Sequence, residues 1–211
     1  MSLMIQPMTG AALQQAAWII RGGGIIAFPT ETFYALGATP FDASAVGRIF
    51  ELKGRSPTSS PILVLIRHRA DLENLVSDIT TSAELLMNAC WPGPLTLVFR
   101  ASSKIPLLLT AGTATIGVRF SASVPLQQVL TAVEGPLTGT SANRSGAPSA
   151  ATAQEVEAAL GPRLDLILDG GRTAGGLPST VVDTTVAPPR LIREGVLPKT
   201  RLLSVIGALA A

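Results

Sequence analysis

Residues 22–38 read GGGIIAFPTETFYALGA. Gly22, Gly23 and Gly24 stop whatever precedes them. Ile25 to Phe28 is an apolar run of strand length, and Pro29 ends it. Beyond Pro29, two hydroxyls (Thr30 and Thr32), the Glu31 carboxylate and the only tyrosine, Tyr34, meet at a strand end. Upstream, Thr9 caps a helix with Leu13, Ala16, Ala17 and Ile20 on one face. Downstream, Asp42 caps a second helix carrying Val46, Ile49, Phe50 and finally Lys53. Helix, glycine stop, buried strand, polar loop and helix is the grammar of an α/β chain.

The same alternation runs through the rest of the sequence. Strands are predicted over 62–66, 95–100, 116–120, 137–140, 164–168, 180–183 and 190–193. Thr81-x-x-Glu84 and Thr152-x-x-Glu155 read as capping boxes opening helices. Trp91-Pro92-Gly93-Pro94 ends the first of these, and Gly161 the second. Pro125 suits a helix first turn and Gly135 its stop. Leu202, Val205, Ile206 and Leu209 form the stripe of a last helix. One mixed α/β (α+β) domain over 1–211 is expected. Met1-Ser2-Leu3 before Met4 reads as an expression scar.

Composition narrows the function. The 211 residues are 47% hydrophobic but only 14% charged, against about 25% in an ordinary soluble domain. Such a chain has the apolar surface to fold, so disorder is excluded. No run reaches the roughly 18 apolar residues of a membrane helix, and the start lacks a signal peptide, so a cytoplasmic address without membrane contact is expected. A net charge of +2 leaves no global nucleic-acid footprint. One cysteine, Cys90, and one histidine, His68, argue against a zinc site or a Cys-His nucleophile.

With so few charges, their placement matters. Lys53-Gly54-Arg55 puts two cations at a helix end, before a loop with Ser56, Thr58, Ser59 and Ser60. That set suits a polyphosphate, and it equally suits the dipole of a helix C-terminus. Ser141-Ala142-Asn143-Arg144-Ser145-Gly146, between a strand and a helix, can cradle phosphate oxygens or make a plain turn. Thr30, Glu31, Thr32 and Tyr34 can hold a small polar molecule such as an amino acid. Alternatively, the threonines cap the strand end and Glu31 is solvated. Gly170-Gly171 and Gly175-Gly176 flank a loop that is either a lid or a surface connection.

Together these segments resemble the YrdC-like family, the threonylcarbamoyl-AMP synthases. The resemblance rests on PTETFYALGA (29–38), KGR (53–55), WPGPLT (91–96), TIGVR (115–119), SANRSG (141–146), DGG (169–171), STVVD (179–183) and LIREG (191–195), in the family's order. It implies a twisted mixed sheet with flanking helices, curled around a large concave cleft, in the short form without a second C-terminal domain. It also implies a nucleotidyltransferase that condenses L-threonine, bicarbonate and ATP to threonylcarbamoyl-AMP and pyrophosphate. The product would pass to a transferase that makes threonylcarbamoyladenosine in tRNA.

By the same resemblance, Lys53, Arg55, Ser141 and Asn143 are catalytic and lie around the nucleotide phosphates. Thr115 and Arg193 join them as nucleotide contacts. Thr30, Thr32, Arg119 and Ser179 surround threonine, with Arg119 as partner of its carboxylate. Mg²⁺ would come with ATP and be held by phosphates and water. No organic cofactor is implied.

Two departures concern the site. Some family members carry a threonine-contacting His where this chain has Leu63-Val64-Leu65. The usual R-x-P is here Arg119-Phe120-Ser121. Two other readings compete: an RNA- or tRNA-binding module without catalysis, and a paralogue acting on a different acceptor.

Overall fold

The computed structural model describes residues 4–56, 58 and 61–210. Ser59 and Ser60 of the loop after Arg55, and Met1 to Leu3, lie outside the described residues. In chain order the elements are β1 (Ile5–Pro7), α1 (Gly10–Arg21), β2 (Ile26–Pro29), β3 (Tyr34–Gly37), α2 (Ala43–Lys53) and β4 (Leu63–Leu65). Next come α3 (Leu72–Leu75), α4 (Thr81–Cys90), β5 (Leu95–Arg100), β6 (Thr115–Arg119), α5 (Val124–Val133) and β7 (Leu137–Ser141). The chain closes with α6 (Ala153–Leu160), β8 (Leu166–Asp169), β9 (Thr180–Asp183), β10 (Arg190–Arg193) and α7 (Lys199–Ile206).

The strands form one mixed sheet in the order β1-β8-β2-β3-β7-β4-β6-β5-β9-β10. Its two faces separate by the period of two along each strand. Ala27, Val64, Leu97, Val118, Ile167 and Val182 point to one face, which α2, α4, α6 and α7 cover. Ile26, Phe28, Leu65, Leu137, Leu166 and Leu168 point to the other, where α1 and α5 pack. Those two helices contact each other and the β2–β8 region. They leave this face of β5, β6 and β9 without a helical cover. A concave cleft opens there.

Local chemistry sets most helix ends as the sequence implies. Thr9 Oγ1 accepts from Ala12 N, and Asp42 Oδ1 from Ser44 N and Ala45 N. One cap differs. α4 is capped by Thr80, whose Oγ1 accepts from Ala83 N at 3.2 Å, and Thr81 is already helical. The expected capping box at Thr81 and Glu84 is displaced by one residue, because Thr80 takes the extended backbone a cap needs. At α6, Thr152 caps Glu155 N as expected, while the Glu155 carboxylate accepts from Ala151 N, one residue before the cap. Two strands were not anticipated. β1 is a three-residue edge strand paired with β8, and β3 is antiparallel to β2 and β7. Among the described residues, no helix is long and apolar enough to cross a membrane.

Candidate active site

The cleft encloses about 610 Å³. Its floor is the set of residues that alternation turns away from the α2-side core: Leu63 and Leu65 of β4, Thr96 and Val98 of β5, Thr115, Gly117 and Arg119 of β6, and Val181 of β9. Glycine keeps the floor low. A Cβ on Gly139 of β7 would lie 2.8 Å from the Leu65 side chain and 2.9 Å from that of Leu63.

Thr30, Thr32, Ser141, Ser179 and Arg193 line the walls. Thr30 is spent on its own turn: Oγ1 donates to Phe33 O at 2.6 Å and accepts from the backbone of Thr32 and Phe33. Thr32 Oγ1 lies 3.4 Å from Thr30 Oγ1. Thr115 pairs its hydroxyl with that of Thr113 at 2.9 Å. Ser179 Oγ shares a 2.8 Å hydrogen bond with Thr96 Oγ1, a residue the sequence reading overlooked. Arg193 donates through Nε and Nη2 to Ser179 O. Burial, and then the neighbouring Arg119, lower its pKa, so two guanidinium charges face the same region.

Lys53, Arg55 and Asn143 do not line the cleft. Lys53, only 4% exposed, turns its ammonium into the loop after β7. Nζ donates to Ser141 O at 2.6 Å, Asn143 O at 3.0 Å and Asn143 Oδ1 at 3.2 Å. Its own carbonyl accepts from Ser145 N. The helix end and the 141–145 loop are thus one unit, and Ser141 Oγ sits on its cleft side, 2.5 Å from Asn143 Oδ1. Burial, then the Arg55 charge, push the Lys53 pKa down to about 8. Arg55 stacks on the Phe50 ring at 5.2 Å, and burial lowers its pKa as well.

Glu31, half-buried, is a paired carboxylate and not a free surface one. Its Oε1 pairs with Nη2 of Arg119, which is 9% exposed. Tyr34 also does structural work. Its hydroxyl donates to Gly171 O at 2.8 Å and accepts from Gly170 N at 3.2 Å, and burial pushes its pKa up to about 12. The loop between the two glycine pairs is fastened at Gly175 N to Thr32 O and at Thr173 N to Ala151 O.

Residues 18–195 match the Sua5/YciO/YrdC family model, described as telomere recombination. The chain belongs to this family. It is 43% identical over 192 residues to a threonylcarbamoyl-AMP synthase of Pyrococcus abyssi, an alignment covering 91% of this chain and 56% of the relative. It is 38% identical to a threonylcarbamoyl-AMP synthase of Bacillus subtilis, covering 92% of this chain and 56% of that protein. The chain therefore spans little more than half the length of these two family members. The crystal structure of P. abyssi Sua5 complexed with L-threonine superposes with a TM-score of 0.90 at 40% identity, over 98% of this chain and 60% of the other. The mixed-sheet fold is thus that of the family.

Proposed function

We propose that the protein is a threonylcarbamoyl-AMP synthase using L-threonine, bicarbonate and ATP. The observation that carries this reading is that Arg119, Arg193 and Ser141 of the Lys53-anchored loop line one cleft. The likeness to the Pyrococcus protein with L-threonine supports it.

The reaction gathers anions. The threonine amine adds to bicarbonate with loss of water to give a carbamate. A carbamate oxygen then attacks the α-phosphorus of ATP, the bond to the β-phosphate oxygen breaks, and pyrophosphate leaves. No protein nucleophile is needed; alignment and preformed positive charge suffice. Arg119 takes the threonine carboxylate, and Thr32 and Ser179 offer hydroxyls beside it, while Thr30 shapes the turn that carries Thr32. Thr115 and Arg193 hold the nucleotide. Ser141 faces the α-phosphate, Asn143 and Lys53 stiffen its loop from behind, and Arg55 adds charge at the helix end. Mg²⁺ enters on the phosphates as part of the substrate. The product, a mixed anhydride, passes to a tRNA-modifying transferase.

The test is pyrophosphate release by the purified chain. Release is expected only when ATP, bicarbonate and L-threonine are all present. Release indifferent to threonine, or threonine replaceable by any amino acid, overturns the assignment. Salt-sensitive tRNA binding without turnover would favour the RNA-binding reading instead.

A further inference from the structure

We propose that Ser121 and Glu31 are positioning residues that fix the Arg119 guanidinium for the carboxylate of the amino-acid substrate. This rests on the function proposed above.

Ser121 is 1% exposed, two residues beyond the end of β6. Its Oγ accepts from Ser123 N at 3.1 Å, so its proton is directed elsewhere, and it donates to Glu31 Oε2 at 2.8 Å. Its carbonyl accepts from Gln127 Nε2 at 2.9 Å. The hydroxyl is therefore held by the cap residue of α5, and the Ser121 carbonyl by Gln127 of that helix, so it can serve as a fixed point.

Glu31, clasped at Oε2, presents Oε1 to Nη2 of Arg119. On the same edge of the guanidinium, Nε donates to Gly93 O at 3.2 Å. Nη1 takes no part in these bonds, and Arg119 lines the cleft. A bidentate fork works only when its plane is set, because a few tens of degrees of rotation lose one of two hydrogen bonds. Glu31 also offsets one of the two guanidinium charges that crowd this wall.

The experiment uses the full chain, with L-threonine and threonine amide as probes in titration calorimetry and ATP in steady-state kinetics. Ser121→Ala should weaken L-threonine binding about tenfold, the scale of one hydrogen bond to a charged group. It should leave the weak binding of threonine amide and the KM for ATP unchanged. Ser121→Thr, which keeps the hydroxyl, should restore binding. In an Arg119→Lys background, Ser121→Ala should cause no further loss, since the partner it acts through is gone. Should Ser121→Ala not fold, Glu31→Gln should show the same threonine-selective loss. Wild-type affinity in Ser121→Ala, an equal loss for ATP, or an additive loss in the Arg119→Lys background overturns the proposal and leaves the synthase reading standing. A wild type that binds no L-threonine overturns both.

Discussion

Replacing Lys53 by methionine should separate stability from catalysis. The side chain keeps its apolar stem and loses its ammonium. Burial has moved its pKa from 10.5 to about 8, so holding the charged form folded at neutral pH costs roughly 3 kcal/mol. Lys53→Met removes that cost. Against it, Ser141 O and Asn143 O lose their donor, and each buried carbonyl left without one costs about 1–3 kcal/mol, roughly 2–6 kcal/mol for the pair. The two effects oppose each other and are of similar size. Stability should therefore fall by no more than about 3 kcal/mol, a Tm shift of at most roughly 12 °C for a chain of this length. Catalysis has no such compensation. The Ser141–Asn143 loop loses its anchor, and kcat/KM should fall at least tenfold, towards the hundredfold typical of a lost preorganised contact. Calorimetric melting and pyrophosphate release on the same preparation measure both. Wild-type turnover in a folded Lys53→Met protein refutes the anchoring role. A Tm lower by more than about 15 °C refutes the compensation.

Three further outcomes follow from the structure. Between pH 8 and 10.5, folded Lys53 has lost its proton while the unfolded chain keeps it, so the unfolded state binds more protons and stability should rise with pH by up to roughly 3 kcal/mol. Urea unfolding at pH 7.5 and 10 checks this: Lys53→Met should lack the gain, and equal gains in both proteins contradict it. Gly195→Ala would place a Cβ 2.1 Å from Pro178 O and 2.7 Å from Ser179 C. Backbone atoms cannot swing aside, so stability should drop by about 3 kcal/mol or more and the KM for ATP should rise as Ser179 and Arg193 are displaced; a melting curve like that of the wild type contradicts this. Tyr34→Phe removes the bonds to Gly170 and Gly171 and should cost about 1–3 kcal/mol, with faster hydrogen exchange confined to the 170–176 loop; unchanged exchange there would show that the tyrosine does not secure it.

Local signals carried much of the fold. Asp42, Thr9 and Thr152 announce their helices because a cap bonds only to backbone within one turn. Strands 180–183 and 190–193 lie where their apolar and β-branched residues put them. β3 was missed because Tyr34 to Gly37 continues a run that already held a strand, and only the Thr30–Phe33 turn reverses it. Thr96 and Gly117 were missed as site residues, although the alternation along 95–100 and 115–119 marks one face of each strand as different. That face becomes a cleft floor only because α1 and α5 stop short of it.

The sequence by itself determined the family, through ordered loop motifs that each belong to one stretch of chain. It also determined the two-sided sheet, because a period of two needs no knowledge of partners. Only the tertiary structure decided what the charged side chains do. Lys53 meets Ser141 and Asn143 across 88 and 90 residues, and Ser121 reaches Glu31 across 90. In isolation Glu31 reads as solvated and Lys53 as a helix-end cation, since a short segment exposes both to water. Folding withdraws that water, and each charge must then take its partner from a distant strand or loop.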